Sequence, residues 1–194
     1  MTRSGTKRDF TAKDLNQSLF EALVEARSTH GGNKLIIEDQ ERKPLSYDMF
    51  LAGTFAISRL LKRHIGEEQR IGLMLPTSLG GALSFWGLHA LGRVPVMINF
   101  TAGQANIRAA ASVSQIKTVV TARRFVASAK LEDLIEAMSA YVRIIYLDDI
   151  RKELGMADKA WAFVASKLPL MFAKKTTADD MGVILFTSGS FGTP

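Results

Sequence analysis

Thr187, Ser188, Gly189, Ser190, Phe191, Gly192, Thr193 and Pro194 follow directly on an apolar run, Val183 to Phe186. A segment of this kind can hold phosphate. Gly189 and Gly192 admit backbone dihedrals that other residues resist, and they let the main chain come close to a ligand. Successive amides can then turn inward as an anion-binding nest, and Thr187, Ser188, Ser190 and Thr193 add hydroxyl donors. The spacing is neither G-x-x-x-x-G-K-[ST] nor G-x-G-x-x-G. It is not a nucleophile elbow, because Ser190 stands directly after Gly189. By composition alone such a stretch is also an ordinary surface loop, and both readings stand at this point.

Few other residues offer chemistry. The chain has no cysteine, which excludes disulfides, thiolate nucleophiles and cysteine-held metals. His30, His64 and His89 are isolated and share no ligand spacing. His89, near the end of an apolar helix, is expected to be a satisfied core or capping residue rather than a catalyst. Asp148-Asp149 and Asp179-Asp180 flank strands, where turn and solvent roles are commoner than metal binding. No residue is assigned as an acid–base catalyst and none as a metal ligand.

The loop must be positioned by elements that alternate along the chain. Thr11 to Asp14 resembles a capping box and predicts a helix to about Arg27. "KLIIED" predicts a short strand. Ser46 is the N-cap expected for a helix over 47–63 that presents Phe50, Leu51, Thr54, Ile57 and Leu61 on one face. "RIGLML" predicts a strand, Pro76-Thr77-Ser78 a turn into a helix to about Leu91, and "VPVMIN" the next strand. Thr101 with Gln104 suggests a second capping box for a helix to about Ser114. Strands at 117–121 and "VRIIYLDD" bracket the helical pattern Leu131, Leu134, Ile135, Met138. Residues 157–172 read as a helix interrupted at Pro169, and 181–186 as the last strand. Strand and helix alternating with short turns is the pattern of an α/β fold with a mostly parallel sheet, its last strands apolar enough to be covered on both faces.

Composition bounds the rest. The 194 residues are 47% hydrophobic and 23% charged, ordinary for a globular domain with a sizeable core. The net charge of +6 is scattered rather than blocked, and aromatics do not interleave with it, so nucleic acid is not the expected partner. The first nine residues lack the apolar stretch of a secretory signal. The most apolar region, 81–100, carries His89, Arg93 and Pro95 and so does not read as a membrane span. Residues 157–175 are different: Trp161, Val164, Leu168, Met171 and Phe172 can share one face, with Lys159, Lys167, Lys174 and Lys175 beside it. That suits an interfacial helix; a helix packed on a core is the alternative. The expected location is cytoplasmic, or peripheral at the inner face of a membrane.

The ending "DDMGVILFTSGSFGTP" resembles the phosphate-binding signature of the acyl-adenylate-forming enzymes, the AMP-dependent synthetases and ligases: an acidic residue, an apolar strand, then T-S-G-[ST]-[TE]-G-x-P-K. Asp180, Thr187, Ser188, Gly189, Ser190, Gly192 and Pro194 stand at matching places. "RIGLMLPTSLGGALSFWGLHALGRVPVMINFTAG" and "SYDMFLAGTFAISRLLKRH" are similar to elements upstream in that family. "GRVPVMINFTAG", "IKTVVTARRF" and "ADKAWAFVASKLPLMF" resemble one branch, the acyl-[acyl-carrier-protein] synthetase part of the 2-acylglycerophosphoethanolamine acyltransferases. Two departures stand out: Phe191 occupies a slot usually held by Thr or Glu, and the motif lysine would fall just past Pro194.

The resemblance implies an enzyme that joins a carboxylate to ATP with Mg2+, forming an acyl-adenylate and pyrophosphate. A fatty acid is the implied acid, and a phosphopantetheine thiol of acyl carrier protein the acceptor, with passage on to a lysophospholipid. Thr187, Ser188, Gly189, Ser190 and Gly192 would form the phosphate cradle. Residues 1–10 would be a flexible basic N-terminus and 11–194 a partial AMP-binding domain, an incomplete amino-terminal part that is inactive alone. Two alternatives remain: a non-catalytic nucleotide- or lipid-binding module, or a ligase of the same superfamily for another acid with CoA as acceptor.

Overall fold

The computed structural model describes residues 16–39 and 42–186. The basic segment 1–10 and the capping box expected at Thr11 to Asp14 lie outside the described residues. The first described helix, α1 (Leu19–His30), has a capping box of its own. Ser18 Oγ accepts from the Glu21 amide at 3.3 Å, and the Ser18 amide donates to the Glu21 carboxylate at 2.7 Å. Strands β1 (Leu35–Ile37) and β2 (Leu45–Ser46) pair antiparallel as a small separate sheet. Ser46 then caps α2 (Tyr47–Ile65), as the sequence predicts.

The main sheet follows: β3 (Arg70–Leu73), β4 (Val94–Met97), β5 (Thr118–Thr121), β6 (Arg143–Tyr146) and β7 (Ile184–Leu185). Their order is β6-β5-β3-β4-β7, and each neighbouring pair is parallel. Between them run α3 (Leu79–Ala90), α4 (Gln104–Ser114), α5 (Arg123–Ala129), α6 (Glu132–Ser139), α7 (Leu147–Ile150), a short 3-10 turn, α8 (Met156–Lys167) and α9 (Pro169–Phe172). The expected α/β fold with a mostly parallel sheet is what forms.

Alternation along each strand sends side chains to opposite faces. Val119 packs with Ile107, Phe125 and Met138 from α4, α5 and α6, whereas Val120 packs with Leu60, Leu61 and Leu88 from α2 and α3. A third cluster, Phe20, Phe50, Phe55, Ala162 and Ala165, binds α1 and α8 onto α2. At the crossing of α2 and α3, a Cβ on Gly87 would stand 3.3 Å from the Ser58 amide nitrogen and 3.4 Å from the Thr54 carbonyl, so a bare backbone suits this contact.

One ion cluster fixes α8. The Asp158 side chain, 7% exposed, accepts from Arg59 Nε at 2.6 Å and also from Arg63. Its other oxygen accepts from the Gly155 amide at 3.1 Å, and Arg59 lies 4.8 Å above the Trp161 ring. Trp161 meets Phe55 and Phe172 edge-on, at 6.0 and 5.7 Å. It therefore packs inward and does not lie on the outer apolar face proposed for 157–175.

Several other expectations are corrected. Thr101 does not cap α4: its amide and hydroxyl both donate to Asn99 Oδ1, at 3.0 and 2.8 Å, and Gly103 takes the cap position. Asn99 forms a local turn that outcompetes the cap. The strand expected through Asp149 ends at Tyr146, because Asp148 and Asp149 enter the first turn of α7, where acidic residues are favoured. The last strand is two residues rather than six, and it is not covered on both faces: Leu185 is 66% exposed. The helix over 123–129 and strand β2 were not anticipated.

Two outcomes follow from this packing. Leu60 is fully buried, so Leu60→Ala should lower stability by about 2–5 kcal/mol in urea unfolding, whereas Val113→Thr on the open face of α4 should change it by about 0.5 kcal/mol or less. The two arginines hold the Asp158 carboxyl well below the ordinary 3.8, at about 2. A depressed folded value stabilises above the unfolded pKa and is lost as pH falls through the folded one. Urea midpoints should therefore drop between about pH 4 and pH 2, and Asp158→Asn should start lower and flatten that part of the decline; an unchanged acid limb in the variant would contradict this.

Candidate functional site

In open parallel sheets, ligands bind beyond the carboxyl ends of the strands. β3 and β4 end there at Leu73 and Met97, and Met97 pairs with Leu185 of β7. β7 thus delivers the chain to that end through Phe186, which packs against the cluster containing Val96 and Ile98. Thr187, Ser188, Gly189, Ser190 and Gly192, the expected phosphate cradle, lie outside the described residues, as does Phe191.

What the described residues build beside this end is a cleft of about 720 Å3. Leu73, Leu75, Ala82, Phe85, Trp86 and Met97 form its apolar walls, with Thr77, Ser78, Glu38 and Asp39 among its polar groups. Ser78 caps α3: its hydroxyl accepts from the Gly81 amide at 3.2 Å. The cap turns the chain sharply after β3, and this brings Phe85 and Trp86, on the next turns of α3, against the strand ends. The pattern of residues 81–100 predicts a helix, a turn and a strand but not a cavity. The apolar residues after Pro76 were the available signal.

Beyond β5 and β6, Arg123 lies over the Tyr146 ring at 4.0 Å and donates to Asp149 at 2.6 and 2.9 Å. Its amide donates to Asp148 at 2.5 Å. The Asp149 carboxyl is held below its ordinary value by Arg123, and Asp149 holds the Arg123 guanidinium above its own. These aspartates sit in the first turn of α7, and Asp149 is ion-paired with Arg123 where a solvent role was expected. Asp180 likewise closes a turn, accepting from the Thr177 amide at 2.7 Å and hydroxyl at 3.0 Å, which lowers its pKa.

The histidines do not converge. His64 meets Glu153 at 3.0 Å, and His30 is exposed. His89 is 8% exposed beside Phe85 and Trp86, ring centroids 4.7 and 5.7 Å away, and burial pushes its pKa down to about 4. It is a core histidine as expected, but it is not fully satisfied: its Nε2 finds no hydrogen-bond partner among the described residues. Among the described residues no group of three or more His, Asp or Glu side chains is arranged to hold a metal, and no helix is long and apolar enough to cross a membrane.

Solved structures share this architecture. VinN in complex with 3-methylaspartate is 19% identical with a TM-score of 0.68, over 92% of this chain and 46% of that one. The o-succinylbenzoate CoA synthetase of Bacillus subtilis, in complex with its acyl-adenylate intermediate, is 13% identical with a TM-score of 0.65, over 92% and 41%. The N-terminal domain of FACL13 from Mycobacterium tuberculosis is 20% identical with a TM-score of 0.58, over 70% and 35%. The chain spans less than half the length of each, and at these identities the likeness shows the fold. The family model for AMP-binding enzymes matches residues 24–194, from α1 through the hydroxyl- and glycine-rich terminus. The chain belongs to the AMP-binding enzyme family.

Proposed function

We propose that this chain supplies the phosphate loop and amino-terminal sheet of an AMP-forming ligase. In this reading the ligase adenylates a fatty acid and passes the acyl group to a phosphopantetheine thiol of acyl carrier protein, or on to a lysophospholipid. The carrying observation is the family match running through residue 194, which takes in the loop. Thr187, Ser188, Gly189, Ser190 and Gly192 form the cradle, whose amides and hydroxyls suit a triphosphate. Its work is to hold the departing phosphates and set the α-phosphorus in line with the attacking carboxylate. Magnesium would be carried on the phosphates and supply charge neutralisation there; no residue of this chain is assigned to it. The apolar cleft at the ends of β3 and β4 supports an acyl chain as the acid's body.

A second reading, a ligase for another acid with CoA as acceptor, is favoured by the ligands bound in two structural neighbours, 3-methylaspartate and an o-succinylbenzoyl adenylate. ATP–pyrophosphate exchange with a panel of fatty, amino and aryl acids separates the two. Residues 1–194 alone are expected to be silent. The chain extended to the length of its structural neighbours should exchange with fatty acids, and Ser188→Ala with Gly189→Val should slow it by about 100-fold or more. Exchange driven only by amino or aryl acids would transfer the assignment to the second reading, and robust exchange by 1–194 would remove the fragment reading.

Contact with an anionic membrane surface belongs to the same proposal. Phe163, Val164, Leu168, Leu170 and Met171 of α8 and α9 are 50–77% exposed, with Lys159 among them. That is an apolar face with basic charge beside it. Liposome co-sedimentation should rise with anionic lipid and fall in Phe163→Ser/Met171→Ser and in Lys159→Glu. Binding indifferent to all three changes would contradict it.

A further inference from the structure

At the end of the sheet opposite the apolar cleft lies a second cleft, of about 580 Å3. It opens where β3 and β4 begin, at Arg70 and Val94, and it is closed by His89 from the end of α3 and by Lys174 and Lys175 after α9. Four cationic residues line it, Arg70, Arg93, Lys174 and Lys175, against one lining carboxylate, Asp180, and of these Arg70 also donates to the Ser114 carbonyl at 3.3 Å. That carboxylate is already engaged by Thr177, as described above. Glu67, 92% exposed at the rim, meets Arg93 Nη2 at 3.0 Å and removes one further charge. A positive balance remains.

Two buried nitrogens at this cleft are without partners. The Arg93 side chain is 10% exposed; its Nη2 donates to Gly66 and Glu67, but its Nε–H meets no acceptor among the described residues. His89, 8% exposed, leaves Nε2 in the same condition. A guanidinium N–H can only donate, and leaving a buried charged donor unmet is costly. Both nitrogens are closed to solvent, so an anion oxygen would satisfy them through a small shift of the side chains around the floor. Burial keeps the His89 ring neutral, so it offers a hydrogen bond without repelling a neighbouring cation.

The lysine wall is built in rather than draped. The Lys174 amide donates to the Ala90 carbonyl at 2.8 Å, and its side chain crosses Gly92, where a Cβ would stand 2.6 Å from Lys174 Cγ. Gly92 also has a φ of +63°, which disfavours other residues. The glycine thus admits both the turn into β4 and the passage of Lys174 along the cleft.

We propose that this cleft binds the phosphate group of a small organic phosphate, held by Arg93 and His89 at its floor and by Lys174 and Lys175 at its mouth. Four cations against two carboxylates match a dianionic phosphomonoester better than a carboxylate. The volume leaves room for an organic remainder beyond the phosphate itself. The site is independent of the proposed ligase activity, so its failure would leave that reading intact.

The test follows the His89 ring resonances by NMR in the 194-residue chain, assigned with His89→Gln, during titration with glycerol phosphate, inorganic phosphate and acetate at constant ionic strength. Glycerol phosphate should shift them saturably. Arg93→Gln should weaken binding by about tenfold or more, and Lys175→Ala by about threefold, while Ser188→Ala should leave it unchanged. Equal affinity for inorganic phosphate would support the site and identify the bare ion as sufficient. No saturation below about 10 mM, an equal response to acetate, or a response lost in Ser188→Ala but kept in Lys175→Ala would overturn it. If Arg93→Gln fails to fold by circular dichroism, Lys175→Ala and Lys174→Gln decide.

Discussion

The constraint on which the structure depends is the placement of β3, which must be paired on both edges and buried on both faces at once. Its backbone bonds parallel to β4 on one side and β5 on the other, and Ile71 and Leu73 are shielded completely or nearly so. Parallel pairing cannot be closed by a tight turn, so each connection must cross over a face of the sheet. Those crossovers, α3 between β3 and β4, α4 between β4 and β5, and α5 with α6 between β5 and β6, cover the two faces together with α2. The same geometry gives all five strands one direction, and hence gives the sheet two chemically different ends. The apolar cleft and the exit of β7 lie at one, and the basic cleft at the other.

The sequence was legible where a signal was local. Ser46 was readable as a cap because the amide it bonds lies three positions on, whereas Ser78, read only as part of a turn, caps its helix in the same way. The alternation of strand and helix was readable because apolar period changes at each turn. Errors came where two local signals competed or where context decided. Asn99 captured Thr101, and the apolar run before the loop looked like a six-residue strand although pairing with β4 supports only two residues of it. Strand β2 is two residues long and exists only because β1 is opposite, which no single window reveals.

The functional residues divide in the same way. The terminal loop is contiguous and rich in glycine and hydroxyls, so its chemistry could be argued from residues 187 to 193 alone. The basic cleft could not. His89 and Arg93 are near neighbours in the chain, but Lys174 is far from both and meets them only when the α9 exit returns to the end of α3. In the sequence each was one member of a scattered charge distribution. Trp161 shows the reverse case: helical spacing put it on an outer face, but the pull of Arg59 and Phe55 decided its direction.

Among the described residues β7 pairs only with β4, leaving a row of outward amides and carbonyls on its far side next to the exposed Leu185. An open edge is a template on which a further strand can grow. Any strand added there, from the same polypeptide or from another molecule, would extend the sheet without disturbing β4, and it would lie alongside the chain's route into the loop.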